Sequence, residues 1–160
     1  MSNRYLYKAK RKHDSKFFKK GEWVEGAYYI EPYTDKRFII QWNSTGLGFN
    51  EFIEVDEESV CQYTGLKDKN GKLIWENDVV RFKHEKFDFD DGLEPWERSC
   101  LPNKKEYTRN YAVEFCNTST NYGLRFRNKS IWFMVHRMTV VMHDVEVIGN
   151  IFDNPELMNE

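Results

Sequence analysis

The segment from Leu66 to Phe82 constrains the fold of this chain more than any other stretch. Its sequence, LKDKNGKLIWENDVVRF, contains two turn signals, Asn70-Gly71 and Glu76-Asn77-Asp78. An Asn-Gly pair between short flanks predicts a type I′ turn, whose twist matches a two-stranded ribbon. In the second turn, Asn77 tolerates a positive φ better than any residue except glycine, and Asp78 is expected to accept backbone N–H bonds. The segment therefore predicts antiparallel hairpins.

Short aromatic or β-branched stretches bounded by turn residues continue along the rest of the chain. Aromatic residues make up 16% of the 160 residues, and such side chains fit the half-buried surface of a sheet. Strands are predicted at 22–31, 37–43, 49–55, 78–84, 111–116, 122–127, 131–136, 138–142 and 144–152. The apolar run 131–136 also permits a helix, because a short run does not define its period. The predicted fold class is mainly β with little helix.

The end of the chain carries two further local signals. Gly149-Asn150 inside the last predicted strand indicates a bulge or a close approach of backbone. Asn154 followed by Pro155 is typical of the first turn of a helix. We therefore expect a distorted strand followed by a single helical turn.

Cysteine usage and hydropathy indicate the compartment. The chain has three cysteines without a C-x-x-C spacing, and an odd number of free thiols suits a reducing cytosol. No apolar run approaches the roughly 20 residues that span a bilayer, and no apolar stretch follows the basic start as in a secretory signal. The sequence predicts a cytoplasmic protein with no membrane partner.

Charge is distributed unevenly, although the net charge is only −2. Residues 1–20 hold one acid, Asp14, and eight basic residues: Arg4, Lys8, Lys10, Arg11, Lys12, Lys16, Lys19 and Lys20. This segment therefore carries +7 and the other 140 residues carry −9. A basic arm on an acidic body is expected to bind phosphate backbones, or to fold against its own body or a neighbouring subunit.

Two long motifs stand near the middle and the end of the chain. Residues 62–80 read QYTGLKDKNGKLIWENDVV, residues 146–157 read EVIGNIFDNPEL, and Trp23-Val24-Glu25-Gly26 precedes a pair of tyrosines. Over residues 22–158 the chain resembles the YopX family, which is encoded by phages and prophages of Gram-positive bacteria. The resemblance implies an N-terminal β-rich portion, a C-terminal SH3-like small β-barrel and a tendency to self-associate. It implies no activity.

The resemblance has two departures. Asn77 stands where the family usually has the glycine of a Glu-Gly-Asp turn, and the basic segment replaces the family's usual first strand. The predicted organisation is a basic arm at 1–21, a β-rich portion at 22–65 and an SH3-like barrel at 66–160. The barrel is expected to contain a long loop at 85–110, and residues 22–158 together form one YopX unit.

No constellation of residues predicts catalysis. The four histidines lack metal-ligand spacing, and the carboxylates of Glu76 and Asp78 flank a turn expected to be solvated. Cys100 has no histidine near it in sequence to serve as a base, and no glycine-rich phosphate loop is present. We expect no catalytic, cofactor-binding or metal site, and the sequence identifies no small-molecule substrate.

Two hypotheses remain ahead of an enzyme, which ranks last. The first is a phage- or prophage-encoded homo-oligomeric interaction or assembly module in the bacterial host cytoplasm, in which the arm of one subunit lies on the acidic face of another. The second is a nucleic-acid-binding protein. Its arm interleaves cations with aromatic rings, and Arg125 and Arg127 alternate on one face of a barrel strand.

Overall fold

The computed structural model describes residues 5–41, 51–86, 105–116, 121–126, 129–131 and 145–159. These ranges form strands and two short 3-10 helices, so the prediction of a mainly β protein with little helix is confirmed. The strands are β1 (Tyr7–Lys10), β2 (Trp23–Ile30), β3 (Arg37–Gln41), β4 (Glu51–Glu54), β5 (Cys61–Lys67), β6 (Leu73–Trp75), β7 (Asp78–Lys86), β8 (Lys105–Cys116), β9 (Asn121–Phe126), β10 (Lys129–Ile131) and β11 (Glu146–Asn150). The 3-10 helices are η1 (Glu57–Ser59) and η2 (Pro155–Met158).

The first sheet has the strand order β4-β3-β2-β1-β5-β6. Strand β1 lies inside this sheet, antiparallel to both β2 and β5, with Tyr7 opposite Gly26 on one side and Gln62 on the other. The basic segment is therefore folded into its own sheet, which is one of the arrangements that its charge left open. The predicted boundary between residues 65 and 66 falls inside β5.

One face of the first sheet forms a hydrophobic core. Its buried residues alternate with outward-facing ones along the strands, as a period of two requires; they are Ala9, Val24, Ile39, Ile53 and Val55. A single antiparallel bridge between Arg11 and Val55 joins the chain just after β1 to the chain just after β4. The sheet therefore curls towards itself at this corner.

The second sheet has the order β10-β9-β8-β7-β11. Its core residues are Ile74, Val80, Tyr111, Val113, Leu124, Val145 and Val147. Strand β7 continues to Lys86 and β8 begins at Lys105, so both strands extend into the predicted loop at 85–110. Residues 87–104 lie outside the described ranges, as do the predicted strand at 138–142 and most of 131–136.

Neither sheet closes into a barrel within the part of the chain that the structure describes. The pairings of the second sheet run from β10 to β11 as an open series. The SH3-like barrel expected for residues 66–160 is therefore not confirmed.

The turn at Asn70-Gly71 differs from the prediction. A type I′ turn needs positive φ at both residues, whereas only Gly71, at φ 82°, has it; the described non-glycine residues with positive φ are Asp35 and Asn77. The carboxylate of Asp68 explains the difference, because Oδ1 accepts the backbone N–H groups of Asn70 at 2.8 Å and Lys72 at 2.9 Å. This holds a right-handed turn with Gly71 at the left-handed position of a bulge.

Two of the other turn predictions are confirmed, and the third, a helical turn capped by Asn154, is confirmed without its cap. Asn77 has φ 64°, the left-handed conformation expected of it. Strand β11 changes register between Val147 and Gly149, as a bulge requires. A Cβ on Gly149 would lie 2.5 Å from Asn154 Oδ1, so the backbone approach is also close. Helix η2 follows Asn154 with Pro155 in its first turn, although the Asn154 side chain makes no capping hydrogen bond.

Candidate interaction face and inter-sheet cleft

The two sheets are joined by an ion pair between β1 and the start of β7. Lys8 Nζ lies 2.6 Å from Asp78 Oδ1, and the two side chains are only 11% and 3% exposed. The other carboxylate oxygen of Asp78 accepts the N–H of Trp75 at 2.9 Å, so the prediction that Asp78 accepts a backbone bond in its turn is confirmed. The expectation that Asp78 lies in a solvated turn is wrong, because the packing of the two sheets buries its side chain. Burial raises the pKa of the Asp78 carboxyl, and Lys8 opposes this rise.

A second contact fastens the C-terminal segment to the first sheet. Asp153 Oδ1 lies 2.5 Å from Lys10 Nζ, and Asp153 Oδ2 accepts from Trp23 Nε1 at 2.7 Å. Asn150 positions this carboxylate, because its side chain donates to Asp153 and accepts from the backbone N–H of Asp153. Burial raises the pKa of Asp153, but the hydrogen bonds from Lys10, Asn150 and Trp23 outweigh it and hold the pKa at about 2.

Two tryptophan rings lie close to the Lys8 ammonium. Nζ lies 4.9 Å from the ring centre of Trp23 and 5.4 Å from that of Trp75, distances at which a cation is attracted to an aromatic face. Lys10 Nζ also lies 5.4 Å from the Trp23 ring. The cations of β1 are therefore bound within the chain by carboxylates and indoles.

A cleft of about 390 Å³ opens at this junction. Trp23, Trp75 and Leu73 form its apolar walls, and the Lys8–Asp78 pair lies among its lining residues. Glu25, Lys72, Asn150 and Asp153 complete its polar lining. The cleft thus draws on strands of both sheets and on the bulge of β11.

The face of the first sheet that carries Trp23 and Glu25, opposite the hydrophobic core, also carries an exposed aromatic cluster further along β2, β3 and β4. Strand register places Tyr29 opposite Phe38, and Ile40 between Ala27 and Phe52. The rings of Tyr29, Phe38 and Phe52 contact one another with centres 6.0 to 6.4 Å apart. Phe52 is 55% exposed and Tyr29 is 38% exposed. We call Ala27, Tyr29, Phe38, Ile40 and Phe52 the aromatic face.

The loop between β1 and β2 presents the remaining cations of the basic segment. Residues 12–22 are exposed, and Phe17, at 80%, projects from the loop. The loop is ordered by its own hydrogen bonds, because Ser15 N–H donates to Phe18 O at 2.8 Å and Lys20 N–H donates to Asp14 Oδ1 at 2.8 Å. We call the exposed cations Lys16, Lys19 and Lys20, with Phe17, the basic loop.

The predicted contact residues therefore fall into three groups. Lys8, Lys10 and Arg11 belong to the folded sheet, and the Arg11 guanidinium is buried over the Phe18 ring at 4.2 Å. Lys12 pairs with Glu54 at 3.2 Å, while Lys16, Lys19 and Lys20 are on the exposed loop. Arg4 and Arg127 lie outside the described residues, and Arg125 is placed only by its backbone, opposite Ala112 and Ser130.

Sequence reasoning missed β1, the role of Asp153 and the aromatic face. The Tyr-Lys-Ala-Lys alternation of residues 7–10 is a strand pattern that the lysine content of the segment obscures. Across the described ranges, no three His, Cys, Asp or Glu side chains are grouped so that they could hold a metal ion. The same ranges contain no helix with the length and apolarity needed to cross a membrane.

One comparison with known proteins, a family model, agrees with the motifs in the sequence. A family model described as YopX protein matches residues 7–159, so the match begins at the first residue of β1 and not at residue 22. A solved structure described as the crystal structure of protein EF1440 from Enterococcus faecalis is similar, with 19% identity, a TM-score of 0.48 and 96% of each chain covered. A comparison with curated proteins finds no match. Because the family model covers nearly the whole chain, the chain belongs to the YopX family.

Proposed function

We propose that this YopX-family protein is a non-catalytic interaction module, encoded by a phage or prophage and acting in the host cytoplasm, that associates with a second copy of itself through the aromatic face. The observation that carries the proposal is the contact of three partly exposed rings, Tyr29, Phe38 and Phe52, on the outside of a sheet. Contiguous exposed apolar patches of this kind mark interaction sites. Tyrosine and phenylalanine are also enriched at the centres of protein interfaces.

The charges at the edge of the aromatic face favour a second copy as the occupant. Glu54 lies opposite Phe38 on β4 and pairs with Lys36 at 3.3 Å and with Lys12 at 3.2 Å. The rim thus carries both signs, already paired, and needs no oppositely charged partner. A two-fold contact places a patch against an identical patch, which suits an apolar centre whose rim charges already have partners within the chain.

The internal pairing of β1 changes the expected route to association. Lys8 and Lys10 bind Asp78 and Asp153 of their own chain, so these lysines are not free to lie on an acidic face of a neighbour. The aromatic face needs no rearrangement of β1. Closure of the second sheet into an SH3-like barrel would have to involve residues outside the described ranges, and association through the first sheet does not depend on it.

Sedimentation equilibrium at micromolar concentration tests the proposal. We expect wild-type protein to form dimers, and Phe52→Ser to raise the dissociation constant at least about tenfold, as for a central interface residue. Phe17→Ser is the matched control, because it removes an exposed phenylalanine from the basic loop and leaves the aromatic face intact. A wild-type protein that stays monomeric would overturn the proposal, and so would equal weakening by Phe17→Ser.

The basic loop supports a second candidate function, binding of single-stranded nucleic acid. Phe17 is exposed enough to stack on a base, and Lys16 Nζ lies 5.4 Å from its ring centre, so a cation and a ring are presented side by side. Lys19 and Lys20 flank them on the same loop. A mobility shift with an oligonucleotide at low salt tests this function, with Phe17→Ser expected to weaken binding. Unchanged binding by that variant would contradict stacking on the loop.

A further inference from the structure

We propose that the inter-sheet cleft binds a small neutral, hydroxyl-rich ligand, namely a single sugar ring. The cleft volume of about 390 Å³ lies within the roughly 300 to 1,000 Å³ of small-molecule sites, near the lower end. Its position between two packed units is also where such sites occur preferentially. The inference does not depend on self-association, since the cleft is built from β1, β6, β7 and β11 together with the start of β2.

The charges around the cleft favour a neutral ligand. The nearly buried Lys8–Asp78 pair and the partly exposed Lys10–Asp153 pair are each already compensated within the chain. A charged ligand group that reached Lys8, Lys10, Asp78 or Asp153 would have to compete with one of these short ion pairs. A hydroxyl group instead accepts a hydrogen bond from an ammonium and donates one to a carboxylate, and it leaves both pairs in place.

The remaining polar lining offers further donors and acceptors. Glu25 and Lys72 are exposed lining residues with opposite charges, and the structure records no ion pair for either within the described ranges. Asn150 and Asp153 add an amide and a carboxylate at the bulge of β11. Several adjacent hydroxyls on one ring match this mixture of donors and acceptors better than a single charged group does.

The indoles supply the apolar part of the site. Trp23, Leu73 and Trp75 are the apolar lining residues. Both indoles are fixed, because Trp23 donates to Asp153 and Trp75 packs against Tyr63 with ring centres 5.6 Å apart. Rigid apolar walls with a few placed polar groups are the usual construction of a small-ligand site. Trp75 is only 4% exposed, so the apolar C–H face of a sugar ring would pack mainly against the half-buried Trp23.

Saturation-transfer NMR on the full chain tests the proposal with glucose, galactose and N-acetylglucosamine as probes. Two probes with ionised groups are the charged comparators: glucose 6-phosphate, which is a net anion, and leucine, a zwitterion with an ammonium and a carboxylate but no net charge. We expect transfer to at least one neutral sugar, together with a change in tryptophan fluorescence on titration, and weaker or no transfer to the charged probes. Transfer to none of the three sugars, or stronger transfer to a charged probe, would overturn the proposal.

Two variants at exposed cleft positions test where the sugar binds, and two variants at other exposed positions are their controls. Glu25→Gln and Lys72→Gln each weaken a hydrogen bond at the cleft, and we expect about fivefold weaker sugar binding from each. Glu58→Gln and Lys19→Gln are the matched controls, because they make the same changes at exposed positions away from the cleft. Circular dichroism of the four variants checks that each one folds. Sugar binding that both cleft variants leave unchanged would show that the sugar binds elsewhere, and would also overturn the proposal.

Discussion

Lys8 Nζ and Asp78 Oδ1 lie 2.6 Å apart, although the two residues are separated by 70 positions in the sequence. Lys8 is on β1, inside the first sheet, and Asp78 begins β7 of the second. The same carboxylate fixes the turn between β6 and β7 through the N–H of Trp75. One aspartate therefore couples a local turn to the packing of the two sheets.

The buried pair gives a first prediction for stability. Lys8→Met leaves the Asp78 carboxyl buried without its partner, and we expect it to lower the free energy of unfolding by about 3 kcal/mol. Lys36→Met, which breaks an ion pair with a lysine that is 49% exposed, is expected to cost less than about 1 kcal/mol. Urea unfolding compares the two variants. Equal losses would contradict the role assigned to the Lys8–Asp78 pair.

Replacing both partners refines that prediction. In Lys8→Met with Asp78→Asn no buried charge remains, and the Asn side-chain oxygen still accepts from Trp75 N–H. We expect the double variant to be more stable than Lys8→Met alone, because the cost of an uncompensated charge is removed. A double variant less stable than the single one would mean that loss of packing, and not loss of charge pairing, dominates.

Asp153 gives a prediction for pH dependence. Its folded pKa of about 2 lies below the ordinary value of 3.8, so its contribution to stability is complete above pH 3.8 and is lost as pH falls through about 2. Asp153→Asn should therefore lower the free energy of unfolding at pH 7 and have little effect near pH 2. We expect a difference of about 1 kcal/mol or less at pH 7, because solvent screens a side chain that is 41% exposed.

Urea unfolding of wild-type protein and Asp153→Asn across this pH range measures the difference. Asp78 titrates in both proteins, so its raised pKa cancels in the comparison. A difference that persists undiminished at pH 2 would mean that Asp153 acts through packing or neutral hydrogen bonds.

The left-handed conformation of Asn77 gives a prediction that separates strain from contacts. Asn77→Ala and Asn77→Gly both remove the 3.7 Å contact of its amide with Cys61 Sγ, but only alanine is strained at φ 64°. We expect the alanine variant to be less stable than the glycine variant by about 1 kcal/mol. Thermal unfolding measures both. Equal stabilities would show that the turn relaxes out of the left-handed region.

The division of the basic segment gives a prediction for nucleic-acid binding. With about 0.7 ions released per phosphate contact, the three lysines of the basic loop predict a slope near −2 for log K against log salt with single strands. All eight cations of residues 1–20 would instead give a slope near −6. Replacing Lys16, Lys19 and Lys20 with Gln should remove most of the salt dependence. A steeper slope that survives this change would place the contacts elsewhere.

Features set by neighbouring residues could be predicted from the sequence. Strand β2, the left-handed Asn77 and the bulge at Gly149 each depend on backbone preferences that a few adjacent residues reveal. The prediction of a type I′ turn at Asn70-Gly71 was wrong, because the Asp68 carboxylate accepts hydrogen bonds from the backbone N–H groups of Asn70 and Lys72. That competition is also local, and the aspartate two residues before Asn70 is the signal that reveals it.

Features that depend on distant partners could not be predicted in the same way. Strand β1 is a strand because β2 and β5 supply its hydrogen-bond partners, and its partly buried lysines are paired because Asp78 and Asp153 reach them. The sequence indicated Lys8 as a contact residue and Asp78 as a turn residue, but nothing near either one shows that they bind each other. The aromatic face also requires the register of three strands.

The central claim is that a second copy of the chain covers the aromatic face. Hydroxyl-radical footprinting with mass spectrometry, at a low and a high protein concentration, measures the oxidation of individual aromatic side chains. If a second copy covers the aromatic face, oxidation of Phe52 and Tyr29 falls at the higher concentration, while oxidation of the exposed Phe17 does not change. Oxidation of Phe52 and Tyr29 that is the same at both concentrations, or a decrease at Phe17 instead, would contradict it.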